Sequence, residues 1–267
     1  MKKIIITVTG LLVFLSVQAQ QKEGKVVYER TSQLNIRIND SHGGMENDIP
    51  RTRTDKFELS FGNNQALYKA AEAENENETM STGEGMQIRM IVAGSDDVLY
   101  TNFDSGKKIE KREFMDKSFI IDDTISTLKW KMTGETKTIL GFPAMKATST
   151  RITPRTMMSM DNGKMERKEI QDTSLIEAWF TSSIPVSTGP GEFQGQLPGL
   201  ILEMNIGNGR QTYKAVSVSE KVDLASIKEP TGKKRYSPEE FRKERDKMLE
   251  EMQKNNQGGG NRIIRMQ

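Results

Sequence analysis

The single histidine of this chain is the first candidate for chemistry, because any Ser-His-Asp triad would have to use it. His42 lies in the turn-forming run 39–44, and no nucleophile elbow accompanies it. The chain also contains no cysteine, which excludes thiol nucleophiles, disulfides and zinc sites built on thiolates. We therefore interpret His42 as an ordinary loop residue.

Two pairs of neighbouring carboxylates, Asp96-Asp97 and Asp122-Asp123, are the candidates for a two-carboxylate hydrolase. Adjacent residues of a strand point to opposite faces, so neither pair has the geometry of such a site, and we interpret both as turn formers. A carboxylate-dependent hydrolase of envelope or nutrient polymers stays open as an alternative because carboxylates are plentiful. No individual catalytic residue is predicted.

Methionine is the unusual residue of the composition, with 16 in the chain. One cluster contains Met157, Met158, Met160 and Met165, and a smaller one lies within residues 80–90. Thioethers are soft ligands suited to Cu(I), so the first cluster predicts a copper site in a Met-rich periplasmic protein. Methionine also fills irregular gaps in protein cores and decorates loops, and this second interpretation requires no metal. We favour the second interpretation, so no cofactor is predicted and the copper site is kept as an alternative.

The N-terminus has the pattern of a cleavable export signal. Lys2 and Lys3 precede an apolar run over 4–17, and Val17 and Ala19 place small side chains before a cut between Ala19 and Gln20. This run is shorter than the roughly 20 residues that cross a bilayer, and no second run follows. We expect an exported protein in the periplasm, at the outer-membrane face or in the medium, with no integral membrane segment after the signal is removed.

The charge balance argues against nucleic acid as a partner. The chain has 39 Lys and Arg and 37 Asp and Glu, and removal of Lys2 and Lys3 leaves 37 of each sign. Nucleic-acid binding needs a net basic face, which a balanced and interspersed set of charges does not supply.

Short segments with alternating apolar and polar residues dominate the chain. Period-two alternation with one polar face is typical of an antiparallel sheet that is wetted on one side. The segments are Leu34-Ile36-Ile38, Phe57-Leu59-Phe61, Leu128-Trp130-Met132 and Ile176-Ala178-Phe180. We predict a mainly β fold, a large curved antiparallel sheet or open barrel of roughly ten or more strands, with a C-terminal amphipathic helix.

One β-hairpin is predicted over about 200–218. A type I′ turn at Asn208-Gly209 fixes the register of its two strands. Apolar residues then meet on one face and opposite charges meet on the other. The predicted pairs are Met204 with Tyr213, Leu202 with Ala215, and Glu203 with Lys214.

Three segments do not have the pattern of strands. Residues 70–85 are acidic and polar, which predicts a solvated excursion, and the Met-containing segment 155–166 is interpreted as a hairpin tip or loop. At the C-terminus, Ser237, Pro238 and Glu240 form a capping box that begins a helix. The predicted organisation is a signal over 1–19, a β-rich domain over 20–230, a helix over 231–257 and a Gly-rich basic tail over 258–267.

Several blocks of residues resemble one known family. They include Ala178-Trp179-Phe180, Ile184-Pro185, Gly189-Pro190 and Gln196-Leu197-Pro198-Gly199-Leu200-Ile201, preceded by Leu128-Lys129-Trp130. In order and spacing they resemble the GLPGLI family of secreted proteins, from about residue 24 to 218. The resemblance implies an exported protein of Bacteroidota envelopes without an established biochemical activity. Gln196 stands where the naming motif has Gly, and Ala144 stands where many members carry Cys.

The motif has a physical interpretation of its own. Proline restricts φ and glycine permits conformations that other residues avoid, so the segment forms a rigid, sharply turning loop. We predict that it crosses the mouth or base of the curved sheet and fixes its register, and the alternative is that it lines a binding surface. The residues concerned are Gly189, Pro190, Leu197, Pro198, Gly199, Leu200 and Ile201.

Together these patterns predict an exported, non-enzymatic envelope protein. It would act as a binding or accessory module associated with outer-membrane transport, with an outer-membrane or envelope protein as its partner. A periplasmic copper-handling protein and a carboxylate hydrolase are the two alternatives from other classes.

Overall fold

The computed structural model describes residues 21–33, 52–71, 80–81, 87–88, 97–161 and 164–256. The predicted signal 1–19, the alternating segment that begins at Leu34, His42, Asp96 and the tail 258–267 lie outside these ranges. So does most of the acidic segment 70–85, which follows the end of a strand at Ala70.

The described strands are β1 Gly24–Gln33, β2 Thr52–Gly62, β3 Gln65–Ala70, β4 Met80–Ser81, β5 Gln87–Ile88, β6 Val98–Asn102, β7 Lys107–Phe114, β8 Lys117–Thr124, β9 Lys131–Ile139, β10 Phe142–Asp161, β11 Lys164–Thr181, β12 Leu200–Ile206, β13 Gln211–Ser219 and β14 Arg235–Tyr236. Strands β4 and β5 form a separate pair, and the others form one open twelve-stranded sheet with the order β14-β8-β7-β6-β3-β2-β1-β13-β12-β11-β10-β9. Neighbouring strands of this sheet are antiparallel except the parallel pair β14 and β8. The mainly β fold with a single C-terminal helix is therefore confirmed, as a curved sheet that does not close.

The inner face of the sheet, defined here as the face of Tyr28 and Leu59, carries the main core. Val26 lies opposite Leu59 and Tyr28 lies opposite Phe57, and directly opposed residues share a face. Phe57 stacks on Tyr68 of β3 with ring centroids 5.1 Å apart. The alternation predicted for Phe57, Leu59 and Phe61 therefore places all three in the core, where each is buried.

At strands β6–β8 both faces of the sheet are covered. Ile120 and Ile121 are adjacent in β8 and therefore point to opposite faces, yet both are buried. Ile120 packs with Ile227 from the segment that follows β13, whereas Ile121 packs with Phe241 and Met248 of helix α1, Pro238–Asn256. This end of the molecule is a three-layered body.

The outer face of six further strands carries a row of five charged residues and one tryptophan, one residue from each strand. Each residue of the row lies opposite the next in the ladder, and opposite charges on neighbouring strands attract. Lys146 also bonds Glu177 at 2.8 Å, and this hydrogen bond holds the pKa of the lysine above its ordinary value. The row consists of Lys146, Trp179, Glu203, Lys214, Glu29 and Lys56.

Two local predictions are confirmed at the level of individual atoms. Asn208 and Gly209 have φ values of 56° and 89°, as a type I′ turn requires, and Glu203 pairs with Lys214. At α1 the capping box is reciprocal: the Glu240 amide donates to Ser237 Oγ at 3.2 Å, and the Ser237 amide donates to Glu240 Oε2 at 2.7 Å. The latter bond holds the pKa of Glu240 below its ordinary value.

Three predictions are wrong in part. Segment 155–166 is not a loop, because its described residues belong to β10 and β11 and pair in register from Arg155↔Ile170 onward. Asp122 and Asp123 are not turn formers, since both lie within β8. Strand β9 begins at Lys131, after Leu128 and Trp130, which pack on the core from an irregular segment. Within the described residues, no helix is long and apolar enough to cross a bilayer.

The buried tyrosines provide a test of this core. Tyr28 Oη donates to the Ile201 carbonyl at 2.6 Å, whereas Tyr68 Oη has no hydrogen-bond partner among the described residues. We expect Tyr28→Phe to lower the free energy of unfolding by about 1–3 kcal/mol, because the Ile201 carbonyl loses a buried donor. Tyr68→Phe should be neutral or stabilising, because its hydroxyl is buried without compensation. Urea unfolding of the two variants measures this difference, and equal losses would contradict it.

Candidate interaction site

The chain between β11 and β12 forms an irregular loop, residues 182–199, that we call the brace loop. It packs on the inner face, where its Ile184, Phe193 and Leu197 are buried in the core. Backbone hydrogen bonds tie it to the start of β12: the Leu200 amide donates to Ile184 at 3.1 Å, and the Ile201 amide donates to Thr188 at 2.9 Å. The loop is therefore part of the core despite its lack of regular structure.

A buried glutamine forms hydrogen bonds between two parts of the brace loop. Gln194 is 2% exposed, and its Nε2 donates to the Gly189 carbonyl at 2.5 Å. Its Oε1 accepts from the hydroxyl of Thr188. Because a buried amide is costly unless it is bonded on both ends, this pair holds the loop in one conformation.

Gln196, the residue at which the motif departs from its usual glycine, anchors another part of the chain. Its Oε1 accepts from the Leu128 amide at 3.0 Å and from the Trp130 indole at 3.3 Å. Its Nε2 donates to the Ser126 carbonyl at 2.8 Å. The side chain therefore holds the irregular segment that precedes β9 against the brace loop, a role that its sequence neighbours do not reveal.

Gly199 is the position of the loop that most strictly requires glycine. Its φ is +153°, and a Cβ at this position would lie 2.1 Å from the carbonyl oxygen of Thr181. Leu197, Leu200 and Ile201 are buried beside it, and a Cβ on Gly189 would meet Ile201 at 2.7 Å. Gly189, Gly199 and the three apolar motif residues are thus closely packed at the start of β12, whereas Pro198 is exposed, and the function of the motif in fixing the register stays a prediction.

Strands β10 and β11 continue far beyond their neighbours. β9 pairs with β10 only at Phe142–Thr148, and β12 pairs with β11 only from Ile176 to Thr181. From Ser149 and Leu175 to Asp161 and Lys164 the two strands pair with each other and, among the described residues, with no other strand. We call this part of the hairpin the arm.

Two arginines tie the base of the arm to the body of the protein. Arg151 of β10 forms an ion pair with Glu192 of the brace loop, and its guanidinium lies 5.8 Å from the Phe193 ring centroid. Arg210, after the β12–β13 turn, bonds Asp172 at 3.0 Å and Ser174 at 2.6 Å. The partners are about 40 residues apart in sequence, so no local pattern indicated these contacts.

The opposite face of the arm base carries exposed apolar side chains. Arg151 lies opposite Ser174, so the next pairs along the ladder, Thr150↔Leu175 and Ile152↔Thr173, belong to the other face. Ile152 is 61% exposed and Leu175 is 41% exposed. One face of the base is thus fixed to the body, and the other presents apolar groups to solvent.

The four methionines of the predicted copper site lie near the tip of the arm. The backbone register places Met160 opposite Met165, whereas Met157 and Met158 lie opposite Lys168 and Arg167. The structure describes the backbone but not the side chains of these residues. The copper site therefore stays a prediction.

The carboxylate pair of β8 does not form a two-carboxylate site. Asp123 is bound to Lys108 at 2.9 Å on the face of α1, and Asp122 is bound to Arg235 at 3.2 Å on the other face. Asp97 accepts from the Glu113 amide at 3.0 Å. Within the described residues, no group of three or more His, Cys, Asp or Glu side chains is arranged to hold a metal ion.

One family model matches part of the chain. A family described as a protein of unknown function (Porph_ging) matches residues 130–203, from the segment before β9 to β12. The solved structures of PNGF-II in C2 and P21 space groups each share 16% identity with this chain, at TM-scores of 0.49 and 0.48. They match over 85% and 83% of this chain and 32% of theirs, so the chain spans about a third of their length. No curated protein matches.

Gly199→Ala tests the brace loop. We expect the free energy of unfolding to fall by about 3 kcal/mol or more, because strained backbone and a collision with the Thr181 carbonyl combine. Gly106→Ala is the matched control, since Gly106 also has a positive φ, +66°, but no atom lies within 4 Å of its Cβ position. The control should lose about 1 kcal/mol from backbone strain alone. Similar losses in thermal or urea unfolding would contradict the close approach.

Proposed function

We propose that this protein is an exported, non-enzymatic binding module that holds an outer-membrane or envelope protein through its arm. The observation that carries the proposal is the extension of β10 and β11 beyond every strand that pairs with them in the described structure. The paired residues from Thr153↔Asp172 to Asp161↔Lys164 lie beyond Arg151, which ties the arm base to the body. At the usual rise per residue of a strand, this part of the arm is roughly 30 Å long.

The edges of the arm, which pair with no other strand in the described part of the chain, suit strand addition. A strand edge without a neighbour presents a row of free amides and carbonyls, and an extended segment of another protein can pair with them. A two-stranded hairpin is also only marginally stable by itself. The ion pairs of Arg151 and Arg210 stabilise its base, and a partner strand would stabilise the rest.

The apolar groups at the arm base provide an anchor next to these edges. Ile152 and Leu175 lie in neighbouring cross-strand pairs on one face, and diagonal neighbours of this kind are within reach of one another. Thr150 and Thr173 complete the two pairs. A small apolar centre with a polar rim is the usual composition of a protein interface.

The remaining charges support binding more than hydrolysis. Asp122 pairs with Arg235 and Asp123 pairs with Lys108, on opposite faces of β8. A glycosidase needs its two carboxylates on the two sides of one glycosidic bond, so this pair does not fit that chemistry. The export pattern over 1–19 supports an envelope location.

In-cell photo-crosslinking tests this proposal. A photoreactive residue at position 152 should crosslink to an envelope β-protein that mass spectrometry identifies, and one at Val216 should not, although Val216 of β13 is 40% exposed. Ile152→Asp with Leu175→Asp should reduce recovery of that partner by about tenfold or more, because a charge replaces the apolar anchor. The Val216→Asp control should have no effect. Equal recovery in both variants, or no mapped crosslink at position 152, would refute the proposal.

Copper handling is retained as a second candidate because the register places Met160 opposite Met165 near the tip of the arm. Cu(I) is expected to stay bound to the protein against a competing chelator under reducing conditions. Substitution of Met157, Met158 and Met160 by Leu should abolish this retention. Substitution of Met115, Met132 and Met145 by Leu is the control, because these three are exposed elsewhere on the molecule. Unchanged retention in the first variant would eliminate the copper site.

A further inference from the structure

A recess of about 230 Å³ lies on the inner face at the end of the sheet opposite the arm, between strands β7 and β8 and helix α1. Its lining combines apolar groups with several charged ones. The residues are Lys108, Glu110, Arg112, Ile121, Asp123, Pro238, Phe241, Arg242 and Arg245.

Strand β7 and helix α1 line most of this recess, and each presents regularly spaced residues on one face. Lys108, Glu110 and Arg112 alternate along β7 and therefore point to the same face, with Lys108 opposite Asp123 and Glu110 opposite Ile121. On α1, Pro238, Phe241, Arg242 and Arg245 have the spacing of one helix face. Phe241 packs edge-on against Phe119 with centroids 5.2 Å apart, which fixes the helix over the strands.

Among the residues that line the recess, cations outnumber carboxylates, although Asp97 outside the lining also pairs with Arg112. Asp123 bonds Lys108 at 2.9 Å, and Glu110 forms an ion pair with Arg112, so each carboxylate of the lining compensates one cation of β7. Arg242 and Arg245 of α1 add two further positive charges. Arg245 also bonds its neighbour Asp246 at 2.8 Å, but Asp246 is not part of the lining.

The surroundings of the two α1 arginines are partly apolar. The side chains of Lys108 and Arg112, each already paired with a carboxylate, are 18% and 39% exposed. Phe241, Ile121 and Pro238 supply an apolar floor, and the Arg112 guanidinium lies 5.4 Å from the Phe241 ring centroid. The recess therefore has an apolar side and an excess of guanidinium groups, whose planar donors match the geometry of oxyanions.

We propose that the recess binds a small organic anion, a single apolar group that carries a phosphate or carboxylate, with Arg242 and Arg245 as its oxyanion ligands. The volume is below the range of about 300–1,000 Å³ that holds drug-sized ligands, so the ligand is a small molecule and not a polymer segment. The site lies on elements that do not contact the arm, and the proposal goes beyond the partner-binding function.

Calorimetric titration of the exported chain with three probes tests this proposal. Phenyl phosphate and benzoate represent the two sources of an oxyanion, and benzyl alcohol is their neutral analogue. We expect saturable one-to-one binding of at least one anion, weakened by added salt, and no binding of benzyl alcohol. The anion that binds more tightly identifies the phosphate or the carboxylate as the natural group. Absence of saturable binding of both anions would overturn the proposal.

A pair of matched variants locates the binding. Arg242→Gln with Arg245→Gln should weaken anion binding by about tenfold or more, because two charge-assisted bonds are lost. Lys243→Gln with Lys247→Gln removes the same charge from exposed positions of the same helix and should leave the affinity unchanged. Circular dichroism confirms that both retain the fold. Equal weakening in both variants would show general attraction to a basic helix and refute the site, and the arm variant Ile152→Asp should bind the anion normally.

Discussion

The close approach of Gly199 to the carbonyl of Thr181 is the constraint on which much of the structure depends. At this contact the brace loop ends beside the last residue of β11 and the chain enters β12. Ile184 and Phe193 of the brace loop fill part of the core. From this one loop Gln196 holds the segment that precedes β9. Glu192 of the same loop pairs with Arg151 at the base of the arm. A shift of the loop would therefore disturb the core, an edge strand and the arm together.

The two ends of the sheet differ in how their faces are covered, and this difference separates the two candidate sites. At β6–β8 one face is covered by the segment around Ile227 and the other by α1, so a recess with partly buried charges can form there. At β9–β11 no described helix or loop covers the outer face, which carries Lys146 at the end of the row of charged residues. Extended strands without a covering layer leave edges and apolar groups accessible, which suits a macromolecular partner more than a small ligand.

The features that the sequence predicts correctly depend on local contacts. The capping box of Ser237 and Glu240 spans one helical turn, and the Asn208-Gly209 turn positions its own flanking strands, so both could be derived from neighbouring residues. For segment 155–166 the prediction of a hairpin tip is confirmed, whereas the alternative of a loop is wrong. Its polar and methionine-rich composition lacks the alternation of a half-buried strand, but the ends of β10 and β11 pair with each other through backbone hydrogen bonds, which need no such alternation.

The amino-acid sequence by itself determined the class of fold, the positions of several strands, the helix and its start, because alternation, turn residues and caps act over a few residues. Only the tertiary structure decided which distant groups meet. Arg151 and Glu192, Arg210 and Asp172, and the lining of the recess under α1 come from separate elements. The register and curvature of the whole sheet bring these groups together, and neither is encoded in any short segment.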